Sequence, residues 1–123
     1  MPFAEEAKQW TYSAVNGEIV RVKLLNKDQY NRVIGKVTTT TTSSPIDISI
    51  GLVHNGYATL YQGKGADYDG NREILIKELA SAQKRMVGIW TNGVENVQTP
   101  AEYKRMMKAN AKGKADLSTF TPQ

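Results

Sequence analysis

Along residues 18–25 apolar and polar positions alternate, so that Val20, Val22 and Leu24 share one face, and alternation resumes at Val33-Ile34-Gly35-Lys36-Val37. Between the two runs lies a polar, turn-prone cluster, Lys27-Asp28-Gln29-Tyr30-Asn31-Arg32. Period-two segments flanking such a cluster predict a β-hairpin. Upstream, Phe3, Ala7, Trp10 and Ala14 recur at helical spacing, with Glu5 and Glu6 where the positive end of a helix dipole favours acids. This predicts a first helix over residues 3–15, entered at Pro2, stopped at Asn16-Gly17, and burying Phe3 and Trp10.

Residues 38–45 comprise five threonines, two serines and a proline. Threonine favours extended backbone, so the hairpin's second strand is expected to run into them before a surface loop or edge ribbon takes over. The run lacks the glycines that let backbone amides approach a phosphate, and no chemistry is expected of it. Asp47 or Ser49 then caps a short helix with apolar positions Ile48, Leu52 and Val53, ending at Asn55-Gly56. Tyr57-Ala58-Thr59-Leu60-Tyr61, short, aromatic and alternating, reads as a third strand. Residues 71–87 form the longest helix, striped by Leu75, Leu79, Ala82 and Met86 and closed at Gly88, with Ile89-Trp90 folding back as a core anchor. Thr99-Pro100-Ala101-Glu102 is a capping box for a last helix through Asn110. Residues 1–110 are therefore expected to form the domain, and 111–123 a basic, frayed tail.

Composition narrows the class only slightly. The chain has 123 residues, 40% hydrophobic and 23% charged, the size and balance of one soluble globular domain. Neither a membrane-spanning apolar run nor a leader is expected. Zero cysteines exclude disulfides, thiolate metal sites and cysteine nucleophiles. A net charge of +4 leans toward anionic partners, and a basic last helix adds to that lean.

Candidate chemistry is sparse. Arg32 opens the hairpin's second strand with a planar, permanently charged fork of donors suited to phosphate. His54, with no acidic or second histidine beside it in sequence, reads as structural and has no metal-ligand spacing around it. The glycine-rich residues 62–70 lack the Walker spacing, and Asp67 and Asp69 lack the further ligands of a calcium loop.

Three stretches in order carry a resemblance: Asp28-Gln29-Tyr30-Asn31-Arg32, then Leu52-Val53-His54-Asn55-Gly56-Tyr57-Ala58, then Ala82 through Gly88-Ile89-Trp90. They resemble the Asp-x-Tyr-Gly-Arg, Leu-Val-x-x-Gly-Leu-Ala and Ala-x5-Gly-hydrophobic-Trp patterns of the staphylococcal nuclease family. The start at Pro2, the Gly63-Lys64-Gly65 loop and the Pro100–Arg105 stretch are similar to the fungal membrane-anchored endonucleases of that family. The resemblance implies an α+β fold built on an OB barrel, and calcium-dependent hydrolysis of DNA or RNA. It implies that Arg32 stabilises the pentavalent phosphate, while Tyr30, Lys27, Tyr61 and Lys64 line the nucleotide site.

Asn31 replaces the family's glycine, a substitution a left-handed turn accepts. The family's first half brings three strands, the calcium-binding aspartates, a second arginine and the general-base glutamate, and nothing here corresponds to them. Neither Glu5 nor Glu6 is assigned the base role, no calcium ligand is identified, and catalysis by this chain alone is not expected. A partial barrel of about three strands leaves open edges and an uncovered apolar face. The chain is therefore expected to fold poorly alone, to associate with itself, or to pair with a missing half or another chain. The alternatives are a catalytically dead nuclease-like module, kept for nucleic-acid binding or as a subunit of a larger assembly, and an unrelated small α+β domain. Nothing in the residues names a compartment; the resemblance points to an intracellular one, the mitochondrion among those it implies.

Overall fold

A computed structural model describes residues 2–40, 43–63, 65–98, 102 and 105–110. The element order is α1 (Ala4–Val15), β1 (Val20–Lys27), β2 (Val33–Thr39), α2 (Ile48–His54) and α3 (Arg72–Arg85), followed by 3-10 turns at Gly88–Trp90 and Val94–Asn96. Residues 105–110 are also helical. This is an α+β arrangement with one open, antiparallel, two-stranded sheet among the described residues.

In that sheet Val20 lies opposite Thr39, Val22 opposite Val37 and Leu24 opposite Gly35, with an irregularity between Leu24 and Asn26 that leaves Leu25 as a bulge. The faces are used in an unusual sense. On one face Lys23 lies opposite Lys36. Lys23 Nζ bonds Asp69 at 2.9 Å, and Lys36 Nζ reaches Asp69 at 3.6 Å and Asp47 at 3.8 Å. The lysines therefore face the α2 N-terminus and the loop before α3. The other face is apolar and open, with Val22 53%, Leu24 71% and Val33 56% exposed.

The core is small and helical. Ile48, Val53, Leu75, Ala82 and Trp90 are buried, and α3 packs on α2. Asp47 caps α2 by accepting from the Ile50 N–H at 3.1 Å. Helix α3 stops at Arg85, two residues before the expected end, because Met86 takes the left-handed cap at φ 55°. Beyond it the backbones of Gly56 and Gly88 cross so closely that a Cβ on Gly88 would overlap the Gly56 carbonyl, and the Ile89 N–H donates to Gly56 O at 2.8 Å. Only glycine fits such an approach at positive φ.

Three expectations need correction. Phe3 and Trp10 are half-buried instead of fully buried. Helix α1 rests on α2 through Trp10 against Gly51, where a side chain would collide with the indole, and Phe3 stacks on Tyr57 at 6.4 Å. The threonine run is not wholly surface: Thr39 is buried, its Oγ1 accepting from the Ile46 N–H at 2.9 Å. The third strand did not form. Residues 57–61 are not in a strand, because a strand is defined by its ladder and no described segment lies alongside to pair with them. Trp90, by contrast, is the core anchor its position suggested. Of the expected last helix, Thr99, Pro100, Ala101, Tyr103 and Lys104 lie outside the described residues, as does the 111–123 tail. Among the described residues no helix is long and apolar enough to cross a membrane.

Candidate functional site

The hairpin turn is organised by one carboxylate. Asp28 Oδ1 accepts from the N–H groups of Tyr30 at 2.8 Å and Arg32 at 2.9 Å, while Oδ2 accepts from Arg32 Nε at 2.6 Å. Asparagine and aspartate side chains favour such turns because they can mimic a backbone carbonyl. Asn31 sits at φ 65°, which asparagine tolerates better than most residues. The turn thus survives the loss of glycine.

Partial burial pushes the Asp28 carboxyl up, but the Arg32 N–H, the Arg32 guanidinium and the Tyr30 N–H outweigh it, and the carboxyl is held below its ordinary value. Arg32 is tied by Nε, its Cζ lies 5.2 Å from the Tyr30 ring centroid, and its side chain is 73% exposed. Its two terminal amino groups have no partner among the described residues. A guanidinium held at its neck with its fork unengaged can take a phosphate oxygen pair.

Arg32 stands at a cavity of about 420 Å³. Its wall includes Asp28, Tyr30, Ile34, Leu52, Leu60, Tyr61 and Tyr68, mixing aromatic and aliphatic side chains with a few polar groups in the manner of ligand sites. Arg32, Tyr30 and Tyr61 are therefore brought together. Lys27 is not: it ends β1 opposite Val33, exposed and off the cavity wall. Lys64 lies outside the described residues.

Asp28 was not among the expected site residues, and of the 62–70 loop only Lys64 was expected at the site. The loop folds over the cavity, with Tyr68 donating its hydroxyl to the Tyr61 carbonyl and Asp69 bonded to Lys23. The signal for Asp28 was available, an aspartate four residues before an arginine across a turn. For Tyr68 there was none. His54 does have an acidic neighbour, Glu78 at 2.7 Å from Nδ1, brought by α3 from 24 residues away, and it lies off this cavity.

Calcium is the metal the resemblance implied, and it takes six to eight oxygen ligands. Two carboxylates, Asp28 and Asp67, line the cavity; the first is committed to Arg32, and Asp67 Oδ1 accepts from the Asp69 N–H at 3.0 Å. Among the described residues no group of three or more His, Asp or Glu could hold a metal ion. The described residues do not fit calcium.

The profile of the family described as staphylococcal nuclease homologue matches residues 1–92, which contain the whole Asp28–Arg32 turn and the cavity it borders. The chain belongs to the staphylococcal nuclease family. Similar curated proteins include a probable endonuclease LCL3 of Komagataella phaffii, 40% identical over 108 residues, covering 87% of this chain and 46% of that protein. Endonuclease Htp3 of Saprolegnia parasitica is 38% identical over 103 residues, covering 84% of this chain and 48% of its own. A probable endonuclease LCL3 of Yarrowia lipolytica is 33% identical over 105 residues, covering 85% and 46%. The chain spans about half the length of the curated relatives it matches.

Proposed function

We propose that this nuclease-family chain binds single-stranded nucleic acid at the Arg32 cavity and does not cleave it unaided. The observation that carries the reading is the Asp28–Arg32–Tyr30 cluster at the mouth of an aromatic-lined cavity. A phosphodiester oxygen pair would bond the open end of the guanidinium, and a base would lie against Tyr30 or Tyr61, since any base offers a face for stacking. In-line hydrolysis needs a base to deprotonate water and charge to offset the pentavalent oxygens. The described residues supply the second in part, through Arg32. The calcium-dependent cleavage implied by the family is therefore assigned to a state in which further polypeptide brings a base and metal ligands to this cavity, and the open apolar face of the hairpin is a surface such polypeptide could cover. The alternative, a module whose role is binding or assembly alone, is favoured by the engagement of Asp28 and Asp67 in local hydrogen bonds.

The test is anisotropy of a labelled single-stranded DNA oligonucleotide at low salt, with wild type and Arg32→Ala. Loss of a charge-assisted contact predicts binding weakened about tenfold or more. Equal affinity would sink the proposal. Cleavage by the isolated chain with calcium, abolished by chelator and by Arg32→Ala, would overturn the unaided inactivity and point to metal ligands beyond those described.

A further inference from the structure

Asparagine is followed directly by glycine at Asn16-Gly17, Asn55-Gly56 and Asn92-Gly93. The pair matters chemically because glycine has no side chain to shield its nitrogen from the asparagine carboxamide. Attack by that nitrogen on the carboxamide carbon closes a five-membered ring. It needs an N–H not held by a hydrogen bond, a carboxamide not held either, and a backbone with room to swing. At Asn55 every requirement fails. Its Nδ2 donates to Gly51 O at 2.8 Å, the Gly56 N–H donates to Val53 O at 3.1 Å, and Gly56 is buried against the Val87 carbonyl. At Asn92 the nitrogen is held, since the Gly93 N–H donates to Trp90 O at 3.0 Å, and the Asn92 carbonyl accepts from Asn96 Nδ2 at 2.6 Å. At Asn16 nothing is held. Both residues of the pair are exposed, and neither the Gly17 N–H nor the Asn16 carboxamide has a hydrogen-bond partner among the described residues. Gly17 stands in open space, with nothing within 4 Å of where a Cβ would lie.

We propose that Asn16 is a site of spontaneous modification, converted to aspartate and isoaspartate by attack of the Gly17 nitrogen. A solvent base takes the Gly17 N–H proton as the nitrogen bonds to Asn16 Cγ. The Cγ–Nδ2 bond breaks, and the amide nitrogen leaves as ammonia with a proton from solvent. Water then opens the cyclic imide at one of its two carbonyl carbons. Cleavage of the new N–Cγ bond gives aspartate. Cleavage at the backbone carbonyl carbon instead leaves the main chain running through Cγ, as isoaspartate. Water is consumed, ammonia is released, and nothing is oxidised or reduced.

The position gives the change a consequence. Asn16 is the C-cap of α1, its N–H donating to Tyr12 O at 2.8 Å, and the Glu18 N–H closes the turn on Val15 O at 3.0 Å. The C-terminus is the negative end of a helix dipole, and the last turn of α1 holds no basic residue. A new carboxylate there is therefore unfavourable and uncompensated, with Glu18 beside it. Isoaspartate also lengthens the backbone between α1 and β1, just before the Ile19 carbonyl that accepts the Thr40 N–H at 3.2 Å and the Thr40 hydroxyl at 2.6 Å. The modification loosens the junction of α1 with the hairpin, while the Asp28–Arg32 turn lies at the hairpin's other end.

The test is a timed incubation of the wild-type chain in warm, mildly alkaline buffer, followed by peptide mapping. Isoaspartate is read in each peptide by methyl transfer from S-adenosylmethionine with an added isoaspartyl methyltransferase. It should appear at Asn16 at least about tenfold faster than at Asn92 or Asn55, since protection follows hydrogen bonding and burial. In concentrated guanidinium chloride the three rates should converge, because the dipeptide is the same and only the structure separates them. Asn16→Gln, which would have to close a larger ring, should remove the fast reaction. Asn16→Asp should speed amide exchange at residues 16 and 18 by about two- to fivefold, the size of a helix-terminus charge effect, and leave Tyr30 and Arg32 unchanged. Equal rates at the three pairs in native buffer, or Asn92 reacting first, would overturn the site. Unchanged exchange in Asn16→Asp would overturn its consequence for α1.

Discussion

Residues 20–27 and residues 57–61 both alternate apolar with polar side chains, yet only the first became a strand. The hairpin strand has its partner a short turn away, and Asp28 holds that turn closed with three hydrogen bonds. Closing so short a loop costs little entropy, and the ladder forms locally. Residues 57–61 leave α2 through the Gly56–Gly88 crossing and enter the 62–70 loop, with a cavity on either side. The contrast teaches that alternation permits a strand and a neighbouring backbone makes one.

The sharpest way to break the contrast is to place the same change in both regions. Gly88→Ala puts a Cβ into the Gly56 carbonyl at φ 58°, and the expected loss is about 3 kcal/mol or more in urea unfolding. Gly35→Ala in β2 meets only ordinary contacts at 3.5 Å and should be neutral or stabilising by up to about 1 kcal/mol. Equal losses would show that the crossing is not what fixes the second region.

Hydrogen exchange should sharpen the same contrast. In dilute solution the amides of Ala58, Thr59 and Leu60 should exchange at least about a hundredfold faster than ladder amides of the hairpin, since protection follows hydrogen bonding. Similar protection in both would mean that a ladder exists along 57–61. Asp28→Asn should in turn speed exchange at Tyr30 and Arg32 while leaving residues 58–60 unchanged.

Acid should loosen the hairpin side first. In Asp69 the hydrogen bond from Lys23 dominates and, with the charges of Lys23 and Lys36, outweighs desolvation; both Asp69 and Asp28 are held below the ordinary 3.8. For a depressed carboxyl the folded state binds fewer protons than the unfolded one. Its contribution is therefore complete above the unfolded value and lost as pH falls through the folded one. Loosening of the turn and of the 62–70 loop, followed by amide NMR shifts of Tyr30 and Asp69, should begin below about pH 4. A transition centred near pH 6 would contradict this assignment.

The smallest effect is expected at Leu24→Lys. Leu24 is 71% exposed, so stability should change by less than about 0.5 kcal/mol while solubility rises. A loss above about 1.5 kcal/mol would mean that something covers the hairpin face in solution.

Much of the framework was legible. Helices α1, α2 and α3, the hairpin, the Asp47 cap and the buried Trp90 follow from periodicity and end signals, which act within a turn or two of the chain. At the candidate site, Arg32, Tyr30 and Tyr61 were named on resemblance and do share one cavity, whereas Lys27 does not reach it. What escaped was contact between remote residues: Tyr68 on the Tyr61 carbonyl, Glu78 on His54, Asp69 on Lys23.

By itself the sequence determined the local grammar of this nuclease-family chain, where helices begin and stop, where the hairpin turns, and which arginine stands beside an aspartate. Those outcomes depend on neighbours within a few residues, so the order of side chains suffices. Tertiary structure alone decided which face of the hairpin meets the helices, that Thr39 is buried while Leu24 is not, and that residues 57–61 run between two cavities with no ladder among the described residues. Burial and pairing depend on what arrives from elsewhere in the chain, and no alternation of apolar and polar residues specifies that arrival.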